Sequence, residues 1–344
     1  LSEQLAHHQD HYNQFEPLLK AFAQAGERST RLLDGHGLAS VSPRSPYEEC
    51  VDFDPLPTQG HFEIMKLDSP GVARRTLACD TSVVKLAEAI QGSVWALRGC
   101  IVRRETDRLS IEVVGPFVCA LSRETLPYVI KSLLSGYETC RTQTPSLNMA
   151  HHVVANLFEK RLQLYAASKL DGGILLADGS LTASPRDSPL SLVREVIEMA
   201  RTQGQGVLAF AKSSRLRLMG YRITSMLLSH RPPYLVRFPQ GLRLRSGHVQ
   251  LGEILVANLS HTLSFRLDAA PREGIGPDEL VQDLMSSDAL IYGYPETLIL
   301  AHQFATFNAM DILGLRARLE SMLDAQLTTH LDARELLFAP LDRG

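Results

Sequence analysis

Three β-rich runs lie almost back to back between residues 76 and 118, and they restrict the fold more than anything else in the chain. They are Thr76–Leu86, Ser93–Arg103 and Leu109–Val118. Short polar breaks separate them, so they read as a three-stranded antiparallel meander. Helical spacing follows over 124–138 and 146–168. Gly173–Ala177 is a fourth strand, an apolar run that ends in Asp178 and a tight glycine turn. Pro189 opens a helix that runs to Thr202. Val207–Ala211 is a fifth strand.

Meander, helix, strand, helix, strand is the order of a ribonuclease H-like core. Such a core is an α/β fold in which a mixed sheet carries acids at the ends of its first and fourth strands, which lie side by side. Asp80 ends or follows the first strand here, and Asp178 ends the fourth. The topology therefore brings together two carboxylates 98 residues apart in sequence. An acid is costly to bury unless it is paired or binds a metal. Two carboxylates on adjacent strands can hold a divalent cation, and phosphodiester cleavage in this fold usually uses two, about 4 Å apart.

Two ions need more ligands. Glu159, in the helix before the Asp178 strand, is the best further acid, although pairing with Lys160 or Gln163 would account for it equally. His302, in an apolar C-terminal helix, is the best imidazole, although a packed core histidine would look the same. An imidazole ligand suits manganese as well as magnesium. Leu33-Asp34-Gly35 mimics the Asp178 pattern but has no strand before it, so Asp34 reads as a helix-ending turn. No GxxxxGK[ST], GxGxxG or GxSxG sequence is present, which leaves P-loop nucleotide hydrolysis and serine-elbow chemistry without support.

Around this core the expected parts are an N-terminal helical extension and additional β-rich and helical C-terminal elements. Residues 1 to about 30 repeat apolar side chains at helical spacing, and the stretch to residue 72 reads as a connecting arm. The division expected is thus 1–72 and 73–344, with a basic β-rich segment at about 212–270. Within that segment the stretch to about 229 looks helical, and strands are expected at 234–238, 242–245, 249–257 and 262–267. Helix is expected again from Pro295.

The chain has 344 residues, 44% hydrophobic and 21% charged, enough for a sizeable core. No run reaches the roughly 18 apolar residues of a membrane span, and no secretory leader opens the chain, whose first residue, Leu1, points to a trimmed start. Cys50, Cys79, Cys100, Cys119 and Cys140 show no CxxC or Cys/His pairing, so buried thiols in a reducing cytoplasm are expected. The net charge of −3 is unevenly spread. Between Met199 and Gly252 there are nine basic residues and no acid, whereas the rest of the chain has 26 basic against 38 acidic residues. A basic sector on an otherwise acidic protein suits a polyanion-binding groove.

Four segments, in order, resemble the NurA nucleases. Cys79-Asp80-Thr81-Ser82-Val83-Val84-Lys85, with Trp95-Ala96-Leu97-Arg98-Gly99, is similar to the family's first acidic strand and the strand after it. Leu175-Leu176-Ala177-Asp178-Gly179-Ser180-Leu181 is similar to its second acidic motif. Ala211-Lys212-Ser213-Ser214-Arg215 is similar to its lysine segment, and Gly293-Tyr294-Pro295 with Ala301-His302 to its Tyr/His motif. The resemblance covers about residues 75–315. It implies that Asp80, Glu159, Asp178 and His302 bind manganese, with two ions expected, and that Tyr294 contacts the substrate or the metal's water. It also implies a homodimer that docks on a HerA-type hexameric ATPase in DNA end resection, degrades DNA from 5′ to 3′ and cuts single strands internally. Arg98, Lys212, Arg215, Arg217 and Arg237 are the expected DNA contacts. Tyr12 and Phe15, as exposed apolar residues of the N-terminal helix, are candidate contacts to the ATPase. A non-catalytic DNA-binding docking subunit, and another ribonuclease H-like nuclease such as a resolvase or hybrid nuclease, remain the alternatives.

Overall fold

The computed structural model describes residues 2–31, 39–40, 62–89, 92–106, 108–136, 146–184, 189–212, 214, 217–218, 221–222, 230–238, 248–323 and 328–329. After helix α1 (Ser2–Arg31) and strand β1 (Glu63–Lys66) comes the meander: β2 (Thr76–Ala89), β3 (Gly92–Glu105) and β4 (Arg108–Ser122). Helices α2 (Leu126–Leu133) and α3 (Leu147–Ser168) lead to β5 (Gly173–Asp178), α4 (Leu190–Thr202) and β6 (Gln205–Ala211). The chain then adds β7 (Tyr234–Arg237), β8 (Glu253–Asn258), β9 (Phe265–Ala270), α5 (Pro277–Ser287), α6 (Glu296–Ala305) and α7 (Ala309–Leu323).

These strands form one mixed sheet in the order β4-β3-β2-β5-β6-β9-β8-β7-β1, and the two-residue strands 39–40 and 328–329 complete it beside β2. The β2-β5 and β5-β6 pairs are parallel, and the rest of the main path is antiparallel. The meander order followed by two parallel strands is the ribonuclease H-like core expected from the sequence. β5 lies between two parallel neighbours, so residues 173–177 are buried on both faces and read as one apolar run. Gly173 enters this strand at φ +100°, and a Cβ there would lie 2.3 Å from the Arg75 carbonyl oxygen. Only glycine lets β5 start so close to β2.

The sheet separates two cores. Leu77, Cys79, Leu175 and Ala177 join the cluster made with α1 to α4, through residues such as Phe22, Leu133, Phe158 and Val196. Ala78, Ile174, Leu176 and Phe210 join the cluster on the opposite face, made with α5 and α6 through Leu280, Leu284, Leu298 and Ala301. Odd and even strand residues thus divide between the two faces, as the pleat requires.

Several expectations are corrected. The arm before residue 72 contains β1, which pairs with β7 and belongs to the main sheet. In the stretch expected to be helical up to 229, the described parts include an antiparallel pair, Arg217–Leu218 with Tyr221–Arg222. Phe15 is buried and stacks on Tyr165 at 3.7 Å, so it is no exposed docking residue. Helix α5 lies where the sequence pattern suggested no element. Asp34, Arg215 and the strand expected at 242–245 lie outside the described residues. The stretch Glu296–Met322 is long and apolar enough to cross a membrane by length and composition. The fold divides it into α6 and α7 and packs α6 against β2 and β3. Cys79, Cys100 and Cys119 are buried free thiols.

Candidate metal centre

The parallel ladder between β2 and β5 ends at the pair Cys79–Ala177. Asp80 and Asp178 are therefore the next residues on two adjacent parallel strands, at the same level. Asp80 neither ends nor follows its strand, as the sequence suggested, but lies within it. β2 runs on to Ala89 with β3 as its partner, and Asp80 pairs with Cys100 in that ladder. Asp178 does end β5, and Gly179 turns the chain away at φ +107°. By parity both carboxylates share the face of Ala78 and Leu176, beneath α6.

His302, in the last turn of α6, brings Nδ1 to 2.7 Å from Asp80 Oδ2. One ligand atom each from Asp80, Asp178 and His302 lie within 4.8 Å of one another. The His302 side chain is half exposed, so it is not a packed core histidine. Lys212, just past β6, places Nζ 2.6 Å from Asp178 Oδ2 and 3.8 Å from Asp80 Oδ2. Tyr294 is buried between Phe210 and Phe265, and its hydroxyl donates to Asp178 Oδ1 at 3.3 Å.

The electrostatics follow from this crowding. Burial and then the Asp80 charge push the Asp178 carboxyl upward, and Lys212 opposes the shift. Burial, with Asp178 and Asp80 adding to it, drives the Tyr294 phenol far above its usual range, so it stays protonated and acts as a donor. The donor set, two converging carboxylates and an imidazole, suits a hard to borderline divalent cation. Crowded carboxylates of one sign call for positive charge, and the Lys212 ammonium lies against both. These residues fit a metal.

Other side chains hold the site in place. Asp268, fully buried in β9, accepts from the Leu181 amide at 2.9 Å and is clamped by Arg266 through two bonds of 2.7 Å. Arg266 also donates to Thr182 Oγ1. The turn after Asp178 is thereby tied to the sheet. The sequence signal was present, since Arg266 and Asp268 stand two apart in an otherwise apolar strand, but it was missed. At the other side, Arg98 pairs with Asp311 at 3.0 Å and lies over the Phe307 ring. It fixes the α6–α7 corner just after His302.

Not every expected site residue joins the cluster. Glu159 lies on α3, packed against the opposite face of the sheet, and its carboxylate accepts from Gln163 Nε2 at 2.7 Å and Lys160 Nζ at 3.3 Å. Burial raises its pKa, Lys160 opposes the rise, and the charges of Asp80 and Asp178 add to it. It is not among the groups whose ligand atoms lie within 4.8 Å of one another. Arg98 is taken up by Asp311, and Arg237 by Glu253 at 2.5 Å. Arg217 lies in the short hairpin already described. Among the expected DNA contacts whose side chains are described, Lys212 is the one brought to the carboxylates.

This chain is similar to a NurA nuclease. The solved NurA structure from Sulfolobus solfataricus has 18% identity, matches 76% of this chain and 87% of its own, and superposes with a TM-score of 0.46. Endonuclease V from Ciona intestinalis, solved with an inosine-containing DNA, has 10% identity over 67% of this chain and 84% of its own, with a TM-score of 0.30. No protein-family model matches the chain, and no curated protein matches its sequence. The fold assignment rests on the strand order given above.

Proposed function

We propose that this chain is a metal-dependent DNA nuclease of the NurA type. The observation that carries this reading is the convergence of Asp80, Asp178 and His302 at the end of the parallel ladder, with Lys212 and Tyr294 against the two acids. A divalent cation held by Asp80, Asp178 and His302 would supply Lewis-acid stabilisation of the charge that develops on a phosphodiester. Tyr294, a fixed donor, orients Asp178. Lys212, partly exposed, is the group able to turn from the carboxylates to a DNA phosphate. Asp268 and Arg98 act at a distance, by holding the Asp178 turn and the His302 helix.

The finer reading comes from the sequence resemblance. It is a manganese-dependent exonuclease, 5′ to 3′, and single-strand endonuclease, working as a homodimer with a HerA-type ATPase in end resection. The imidazole in the donor set suits manganese as well as magnesium. The test is digestion of single-stranded DNA, duplex DNA and RNA–DNA hybrid with manganese, magnesium or EDTA. Wild type should cleave DNA with manganese, and D80N and D178N should fold and lose cleavage. Cleavage retained by the double variant D80N/D178N refutes the assignment. DNA binding without cleavage in any metal selects the docking-subunit alternative, and preference for the hybrid selects another ribonuclease H-like class.

A further inference from the structure

The residue before the Gly-Tyr-Pro segment sits in a conformation its side chain disfavours. Leu290–Ile291 pairs with Tyr294–Pro295 as a tight hairpin. The two turn residues, Tyr292 and Gly293, have φ of +53° and +86°. A two-residue turn with both φ positive is normally made by Asn-Gly or Asp-Gly, because a bulky side chain is strained there. Ser260 Oγ holds the turn by donating to the Tyr292 carbonyl at 2.7 Å. No burial offsets the strain, because Tyr292 is 67% exposed. A strained residue with no packing gain points to contacts made outside the fold.

Its location indicates what those are. Tyr294, two residues on, donates to Asp178. Two residues of chain span at most about 7 Å, so Tyr292 lies within that distance of the backbone from which the Tyr294 side chain reaches Asp178. The loop that holds it follows β8, whose register with β9 and β6 places this loop at the same end of the sheet as Lys212. Leu263, in that loop, and Ile291 are also exposed.

We propose that Tyr292 is a stacking platform for a nucleobase of single-stranded DNA, next to the phosphate handled at Asp80, Asp178 and His302. This rests on the nuclease reading above. Stacking on an exposed ring is indifferent to base identity because every base has a π face. It would set the base beside the scissile phosphate without imposing a sequence.

The test uses the full chain, a labelled twelve-nucleotide oligo-dT and the same oligonucleotide with one abasic position moved along it. Binding is measured in calcium and in EDTA for wild type, Y292G and Y292W, with thermal melting of each. Y292G should melt higher, because glycine relieves the turn, yet bind about tenfold more weakly, as expected for one lost stacking contact. Y292W should bind as wild type does. One abasic position should weaken wild type about as much as Y292G does, and should not weaken Y292G further. Equal binding by wild type and Y292G overturns the platform and leaves the nuclease reading intact. Failure of wild type to bind the oligonucleotide in either buffer overturns the platform. Failure of wild type also to cleave DNA in the manganese digestion described above would take the nuclease reading with it.

Discussion

Replacing Lys212 with Met tests whether the ammonium is the counter-charge of the two acids. Met keeps most of the apolar stem and removes the charge. At 2.6 Å from Asp178, the pair is worth about 1.6 kcal/mol at the dielectric of water and about 6 kcal/mol at an effective dielectric of 20. Lys212 is 41% exposed, so screening places the value near the aqueous end, at about 1–2 kcal/mol. For a chain of this length that is a fall in melting temperature of about 1–3 °C in EDTA. A divalent cation at 100 times its Kd adds about 2.7 kcal/mol to whichever variant binds it. In wild type it must displace the ammonium, and in K212M it need not. K212M should therefore melt lower than wild type in EDTA, gain more from manganese, and approach wild type at saturation. The assay is differential scanning fluorimetry across a manganese titration at pH 7.5. Equal melting in EDTA, with equal gain from manganese, would refute the argument.

Further outcomes follow from the same geometry. The folded pKa of Asp178 is raised above its unfolded value near 4, so over that window the native chain holds the extra proton and metal-free stability falls as pH rises through the folded value. Urea unfolding in EDTA should show D178N losing less stability than wild type between pH 4 and 8. Y294F should cost about 1 kcal/mol of stability through the lost hydrogen bond and lower kcat about tenfold with little change in KM, as single-turnover assays would show. R98A should loosen the α6–α7 corner and weaken manganese binding through His302. It should leave the salt dependence of DNA binding unchanged, because Arg98 is spent on Asp311.

The strand order was readable because each core strand is an apolar run with clear breaks, and that order was enough to pair Asp80 with Asp178. Strand parity was also on the page: Cys79 and Asp80 are neighbours and must face opposite ways. What could not be read was which face α3 covers, and Glu159 depends on that. The same limit hid Arg98, which reads as a surface base until Asp311, 213 residues on, is placed beside it. Helix α5 was missed because its polar face outweighs Leu280, Val281 and Leu284 in a short window. β1 was missed because four residues in a Pro-rich stretch gain strand character only from pairing with β7.

The contact between Asp80 and His302 joins residues 222 positions apart. A ribosome releases the chain from its N-terminus, so the meander and β5 are available to pair long before α6 exists. The two acids can meet early, but their imidazole partner is made 222 residues after Asp80. The β2–β5 pair can therefore form while the third residue of the cluster is still unmade, and the candidate metal centre is completed only when α6 joins the sheet.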